Sequence, residues 1–453
     1  MKSGTNSMRR SPRGLGRRCA PQLGLEALES RLAMAGDVTL SIEDGGVLRI
    51  VGDAAANQIE IGQERGLAWV RGFTVNDNGA QGNTLIRSAW NGAASNRVMG
   101  IEGIRSIVIE LGDGHDRVVA GTPMPRNVRL IDGQWVADPA SLTLDSLTIR
   151  GNAGNDSILV GRCDIATDLV VTTGQGNDFV LVIDSEVGRR IEVNVYGGDN
   201  MVTFDGAYSE SIQITAGDGN DIVSMGHFGT DSLTISTSGG GDRINIGPDY
   251  AVRLERVDAL RSAKVRGHVT VNAGEGVNDV RLIQLMIDGQ CVVTTGSVSD
   301  NVTVDQVTAG GLTVFTGHGP DTIVVRQAEI RGNVAVATAF NHNLPVVVVL
   351  DRVTSGGQIS VTTARGADQV TALNVSATTI VLRTGEGNDT VRLVRVAAED
   401  VLVELGAGDD LLTAAWVMGR RRTLFDGGVG SDGLKLDAPV PANAFRNFER
   451  VRR

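Results

Sequence analysis

The stretch TGEGNDTVRL at residues 384–393 places two glycines, an asparagine and an aspartate in front of an alternating apolar run. Near-copies stand at 173–182 (TGQGNDFVLV), 216–225 (AGDGNDIVSM) and 316–325 (TGHGPDTIVV). Aligned on the final acid, such turns close on Asp116, Asp156, Asp178, Asp221, Asp242, Asp300, Asp321, Asp368, Asp389, Asp410 and Asp432, and on asparagine at Asn200 and Asn278. Glycines at positive φ followed by an Asx residue make a sharp corner without help, and asparagine serves that purpose as well as aspartate. Aspartates stacked about 4.8 Å apart repel by roughly 1 kcal/mol per neighbouring pair even in water. The preference for aspartate therefore asks for compensation. Either a hard, oxygen-seeking cation lies along the column, or each carboxylate accepts backbone N–H bonds.

The spacing of the acids says what must position them. Most intervals are 21 or 22 residues. The intervals of 40 and 47 read as two units with one degenerate turn, such as NHNLP at 341–345. The interval of 36 is one unit with an insertion, or two with one shortened. A fixed period in this range signals a solenoid. Two and four residues after each acid the chain is apolar throughout, as with Val180 and Val182, Val391 and Leu393, or Leu412 and Ala414. That is the inner face of a strand, repeated once per coil. Second strands precede most turns (Ile212 and Ile214, Ile380 and Leu382), and short third segments fit between. The expected fold is all-β: a right-handed parallel β-helix with coils of 21–22 residues. Fourteen or more coils would make a rod on the order of 70 Å long.

Residues 111–436 carry the repeat. Residues 36–110 are expected to form an N-terminal cap and irregular first coils, in which Asn57 precedes Ile59 and Ile61 at the same offsets. Residues 437–453, with Phe445 and Phe448, are expected to close the other end. Cys163 and Cys291 fall five or six coils apart, about 25–30 Å, beyond disulfide reach.

The turn G-x-G-[ND]-D-x-U, with U apolar, resembles the haemolysin-type, or repeats-in-toxin, calcium-binding repeat. The resemblance implies calcium held between loops of neighbouring coils, with the aspartates as carboxylate ligands. The candidates are Asp368, Asp389, Asp410 and Asp432, then Asp156 with Asp178 and Asp300 with Asp321, and also Asp116 and Asp221. Asn200 and Asn278 would be weak or empty rungs. One departure stands: the family repeats every nine residues, with loops on both edges, whereas here one loop comes per 21–22 residues.

Charge and composition narrow the function classes. The formal net charge is −11, and residues 1–35 are locally +5, which leaves the remainder near −16. A body so acidic repels nucleic acid. No apolar run is long enough to span a membrane. LEALESRL at 25–32, followed by Ala33-Met34-Ala35, resembles the leaders of large bacterial secreted and cell-surface proteins, and implies an exported, extracellular or surface location. The expected role is a structural or adhesive β-helix, with calcium and surface polysaccharide or other envelope components as partners. A polysaccharide lyase, hydrolase or epimerase is the enzymatic alternative, and a metal-free scaffold is the other. The basic run Arg253, Arg256, Arg261, Lys264 and Arg266 offers an acidic sugar a partner, though such a run also fits an outward face. No catalytic residue is assigned, because the five histidines lack ligand or triad spacing.

Overall fold

The computed structural model describes residues 36–72, 84–90, 92, 94–122, 128–131, 134–137, 141–247, 263–339, 343–438, 440 and 445–452. The leader expected at 1–35 lies outside the described residues.

One coil shows how the sequence makes the fold. In Phe179–Val187 the residues alternate, with Val180 and Val182 buried and Phe179 and Leu181 turned outward. At Asp184 the backbone bends through φ 50, and a short second side runs to Val187. After Gly188 a third side, Arg190–Val195, again alternates and returns the chain to the loop. Each side pairs in parallel with the same side of the coils before and after, so like residues stack. On the first side Ile59, Val118, Ile158, Val180, Val202, Val223, Ile244 and Val280 stand in register. Val302, Ile323, Val348, Val370, Val391, Leu412 and Leu434 continue the column. All of these are buried. Each contributes about 1.5–3 kcal/mol relative to an exposed side chain, so the columns form one continuous core along the axis. The molecule is a β-solenoid of about 13 turns, and every regular element among the described residues is a strand.

Cross-coil pairing settles what the long intervals are. Val118 pairs directly with Ile158, so the interval of 40 is a single coil carrying an insertion, not two coils. Within the insertion Val128–Ile131 and Gln134–Ala137 form an antiparallel hairpin. Ile244 pairs directly with Val280, and the interval of 36 is likewise one coil with an insertion. The interval of 47 does hold two coils, since Val348 lies between Ile323 and Val370.

The ends follow different rules. Asp37–Glu43 with Val47–Val51, and Gln58–Glu64 with Leu67–Gly72, are antiparallel hairpins whose inner strands seed the parallel columns. At the other end Arg450–Arg452 pairs in parallel with Gly433–Leu436, so the closing segment adds one more partial rung. Cys291 sits in the third-side column between Val269 and Leu312, while Cys163 sits on a second side. Both are buried, and burial pushes the Cys291 thiol up to about 12.

A corner at left-handed φ recurs six residues after the ladder position. It is occupied by Arg162, Asp184, Gln284, Gln306, Gln327, Arg352, Asn374, Arg395 and Trp416, with φ between 50 and 58. In most loops the glycine two residues before the acid has positive φ, and it is stacked tightly on the loop before it. A Cβ at Gly176 would lie 1.9 Å from the Gly154 carbonyl oxygen, and one at Gly408 would lie 1.9 Å from that of Gly387. Val298 holds this place before Asp300 at φ 87, a conformation hostile to a β-branched residue.

Val298→Gly is expected to stabilise the protein by about 1 kcal/mol. Relief of about 1–3 kcal/mol of strain is offset by roughly 0.5–1 kcal/mol of glycine entropy. The denaturant midpoint measures it; a lower midpoint would show that the valine's packing outweighs the strain.

Candidate functional site

The ladder is built by the loop that joins the third side of one coil to the first side of the next. Two apolar anchors follow each acid and fix the strand, so the acid is drawn inward at the strand's start. Asp116, Asp156, Asp178, Asp221, Asp242, Asp300, Asp321, Asp368, Asp389, Asp410 and Asp432 are all buried, none more than 3% exposed.

One oxygen of each carboxyl is committed to a neighbouring coil. The Asn57 amide donates to Asp116 Oδ1 at 2.7 Å, and the Asp116 amide to Asp156 Oδ1 at 3.0 Å. The relay continues from Asp156 to Asp178 (2.8 Å), Asp178 to Asn200 (3.0 Å) and Asn200 to Asp221 (2.9 Å). It passes through Asp242, Asn278 and Asp300 to Asp321. In the degenerate coil the Val346 amide donates to Asp368 Oδ1 at 2.8 Å. From there Asp368, Asp389 and Asp410 each donate to the next acid, and the Asp432 amide ends the series on Glu449 Oε2 at 2.6 Å. The carboxyl column is thus a set of backbone clasps, each reaching to the coil before its own.

The residue just before the acid clasps in the opposite direction. The Asn177 amide donates to Asn155 Oδ1, Asp199 to Asn177, Asn220 to Asp199 and Gly241 to Asn220, all at 2.8–2.9 Å. Asp409 and Ser431 repeat this with Asn388 and Asp409 as acceptors. His115 plays the part with its ring, accepting the Asn155 amide at Nδ1. An Asn-Asp pair therefore ties its coil to both neighbours at once. The dipeptide itself is the sequence signal for this outer ladder, which a reading centred on the carboxylates passes over.

The asparagine rungs reveal the surroundings of the second carboxyl oxygen. Asn200 Nδ2 donates to the Gly198 carbonyl at 2.9 Å, and Asn278 Nδ2 donates to the Gly274 and Gly276 carbonyls at 3.2 Å. Asn57 Nδ2 likewise donates to the carbonyls of Asp53, Ala55 and Leu111. An aspartate places an oxygen where these rungs place a donor. At Asp156, Asp410 and Asp432 that second oxygen is buried with no donor. At Asp178, Asp242, Asp300 and Asp389 a threonine five residues earlier (Thr173, Thr237, Thr295 and Thr384) sets its hydroxyl beside the carboxyl.

The charge state follows from this environment. Burial pushes Asp116, Asp156 and Asp389 up to about 7, against the opposing pull of the amide each accepts. Burial likewise raises Asp221, Asp300 and Asp410 to about 6. Asp178, Asp242 and Asp432 are raised for the same first reason. A protonated carboxyl donates to the loop carbonyls as the asparagine amide does, and it removes the repulsion between stacked rungs.

Among the described residues no three His, Cys, Asp or Glu side chains converge as a metal cluster. An aspartate rung supplies one carboxyl, and an amide-to-oxygen hydrogen bond lies between most successive rungs. Of the basic run, Arg253, Arg256 and Arg261 lie outside the described residues. Lys264 approaches Asp288 at 3.9 Å and Arg266 pairs with Asp231 at 2.5 Å.

Fold and ladder together define a parallel β-solenoid repeat protein. The chain matches no family model, no curated protein and no solved structure, so its site is read from its own geometry.

Asp389→Asn is expected to fold and to lose less than about 1 kcal/mol at pH 5, because its amide can donate to the carbonyls of Gly385 and Gly387. Asp389→Ala removes the acceptor of the Asp368 amide and is expected to cost about 1–3 kcal/mol. Equal losses in urea titrations of the two variants would contradict the clasp.

Proposed function

We propose that this chain is a structural β-solenoid module exported from the cell, presenting an elongated face for attachment at the cell surface. The observation that carries the reading is the inner clasp of the ladder, repeated through most coils and doubled by the outer one between residues 115 and 241 and between 388 and 431. It invests the best-formed loops in holding coils together. Ion pairs one coil apart brace the outside in the same way, as with Arg189 and Asp168, Arg326 and Asp305, and Arg383 and Glu404. Export is supported by the LEALESRL segment and the A-x-A pattern after it.

A second reading, calcium along the same edge, draws on one specific observation. The buried second oxygens of Asp156, Asp410 and Asp432 face the place where a donor is wanted. A cation there would take one carboxyl oxygen and loop carbonyls from its own coil, of the kind that Gly274 and Gly276 offer Asn278. It supplies charge compensation that the proton supplies otherwise. The likeness of the turn to the haemolysin-type repeat belongs to this reading. Six to eight oxygens are the usual calcium complement, and water would have to make up the number.

Linkage separates proton from ion. The ladder acids at about 6–7 lie above the ordinary 3.8, so the stability they contribute is full below 3.8 and is lost as pH rises through 6–7. Asp168 and Asp400, held low by Arg189 and Arg421, act oppositely: their contribution is present above 3.8 and is lost as pH falls through their lowered values. Maximum stability is therefore expected on the mildly acid side. In chelator the Tm should fall by several degrees between pH 5 and pH 8. Millimolar calcium at pH 8 should restore that loss if the ion replaces the proton, and an unchanged Tm would sink the calcium reading. Export is tested separately: a membrane-impermeant amine reagent on intact cells should label the protein, and labelling only after lysis would overturn it.

A further inference from the structure

We infer that a cleft on the second side of the solenoid is a binding site for a linear, uncharged polysaccharide. The cleft has a volume of about 1090 Å³ and runs along the axis over successive coils. Its floor is a single register column. Asp164 pairs with Glu186, Glu186 with Tyr208, Tyr208 with Gly229, and Gly229 with Lys264. At coil spacing of about 4.8 Å, the floor offers a carboxylate, a carboxylate, an aromatic ring, a bare backbone and an ammonium in order along the axis.

Gly229 makes room for the ring. A Cβ there would lie 2.9 Å from Tyr208 Cδ1, so the phenol leans across the glycine on the next rung and offers a platform. An aromatic face flanked by carboxylates and cations suits a ring that has apolar C–H faces and hydroxyls at its rim. Asp164, Glu186 and Glu210 accept from hydroxyls, and Lys264 and Arg266 donate to ring and hydroxyl oxygens.

The mixture of signs selects against charged polymers. A polyanion meets Asp164, Glu186 and Glu210, and a polycation meets Lys264 and Arg266. An extended peptide gains nothing from the floor, whose backbone groups are already spent in pairing between coils. A neutral polymer with a short repeat escapes both penalties and can place successive units against successive coils.

The inference rests on the surface-attachment reading only in taking the polymer to be external to the cell. The test is calorimetric titration of the full chain with cellohexaose, xylohexaose and mannohexaose, with hexagalacturonate and hexalysine as charged probes. At least one neutral hexasaccharide should bind, and the charged probes should bind more weakly. Tyr208→Ala should weaken that binding about tenfold or more with the Tm little changed, and Glu186→Gln, an exposed position, should weaken it without touching the core. Absence of binding by all three neutral sugars at millimolar concentration overturns the inference, as does tighter binding of hexalysine or hexagalacturonate. Undiminished affinity in both folded variants overturns it too. A protein that is surface-labelled but ignores these sugars loses the cleft and keeps the attachment reading. New reducing ends in the titrated sugar would support the cleft while overturning a purely structural role.

Discussion

A parallel solenoid has to hold each coil at one register against the next, because slipping one residue would turn an entire inner column outward. Here that constraint is met most regularly at the start of the coil's first side. A buried carboxyl or amide oxygen accepts the amide of the equivalent residue in the coil before, at 2.7–3.1 Å through most of the rod. The bond is made between like positions only, so it measures register directly. Apolar columns supply most of the free energy but discriminate weakly among Val, Ile and Leu. The inner clasp, with the outer one where it is present, supplies the discrimination.

The clasp in turn dictates the chemistry of the loop. For amide and carboxyl to meet, successive loops must stack almost in contact, which is why Gly176 and Gly408 admit no Cβ. Close stacking excludes water from the acid and raises its pKa. Asparagine then becomes a natural equivalent, as Asn57, Asn200 and Asn278 show by donating to carbonyls of loop residues. Glycine, Asx identity, burial and altered acidity are thus consequences of a single packing distance.

Much of this was legible in the sequence. The period and the apolar positions two and four residues after each acid expose the parallel columns, because stacking forces equivalent residues to repeat. Interval length alone misleads, however. Asp116 to Asp156 and Asp321 to Asp368 are both near twice the period, yet the first is one coil and the second is two. Length counts coil perimeter plus anything that leaves the edge, and pairing alone separates them. The left-handed corner at Arg162, Gln284 or Trp416 carries no glycine to betray it. Glu449 takes over the acceptor's role through a longer side chain outside the motif, and residue identity gives little hint of that. The acids were visible as a column, but their inward orientation and occupied first oxygen follow from the strand that starts at each one.

Val346 interrupts the ladder without interrupting the solenoid. It enters the column as a donor to Asp368, but a valine side chain has no oxygen with which to receive the coil before it. The relay of amide-to-oxygen bonds therefore has two stretches, one from Asn57 to Asp321 and one from Val346 to Glu449. The coils that meet there are joined by strand pairing, apolar contact and side-chain bonds such as those of the Gln358 amide to Asn333 Oδ1 and of the Ser355 hydroxyl to the Gly332 carbonyl. In a one-dimensional array, where cooperativity is the strength of nearest-neighbour coupling, such a junction shifts the coupling from the ladder edge to the other sides of the coil. One valine thus changes which sides of the coil carry the coupling, with no linker in the sequence to mark the place.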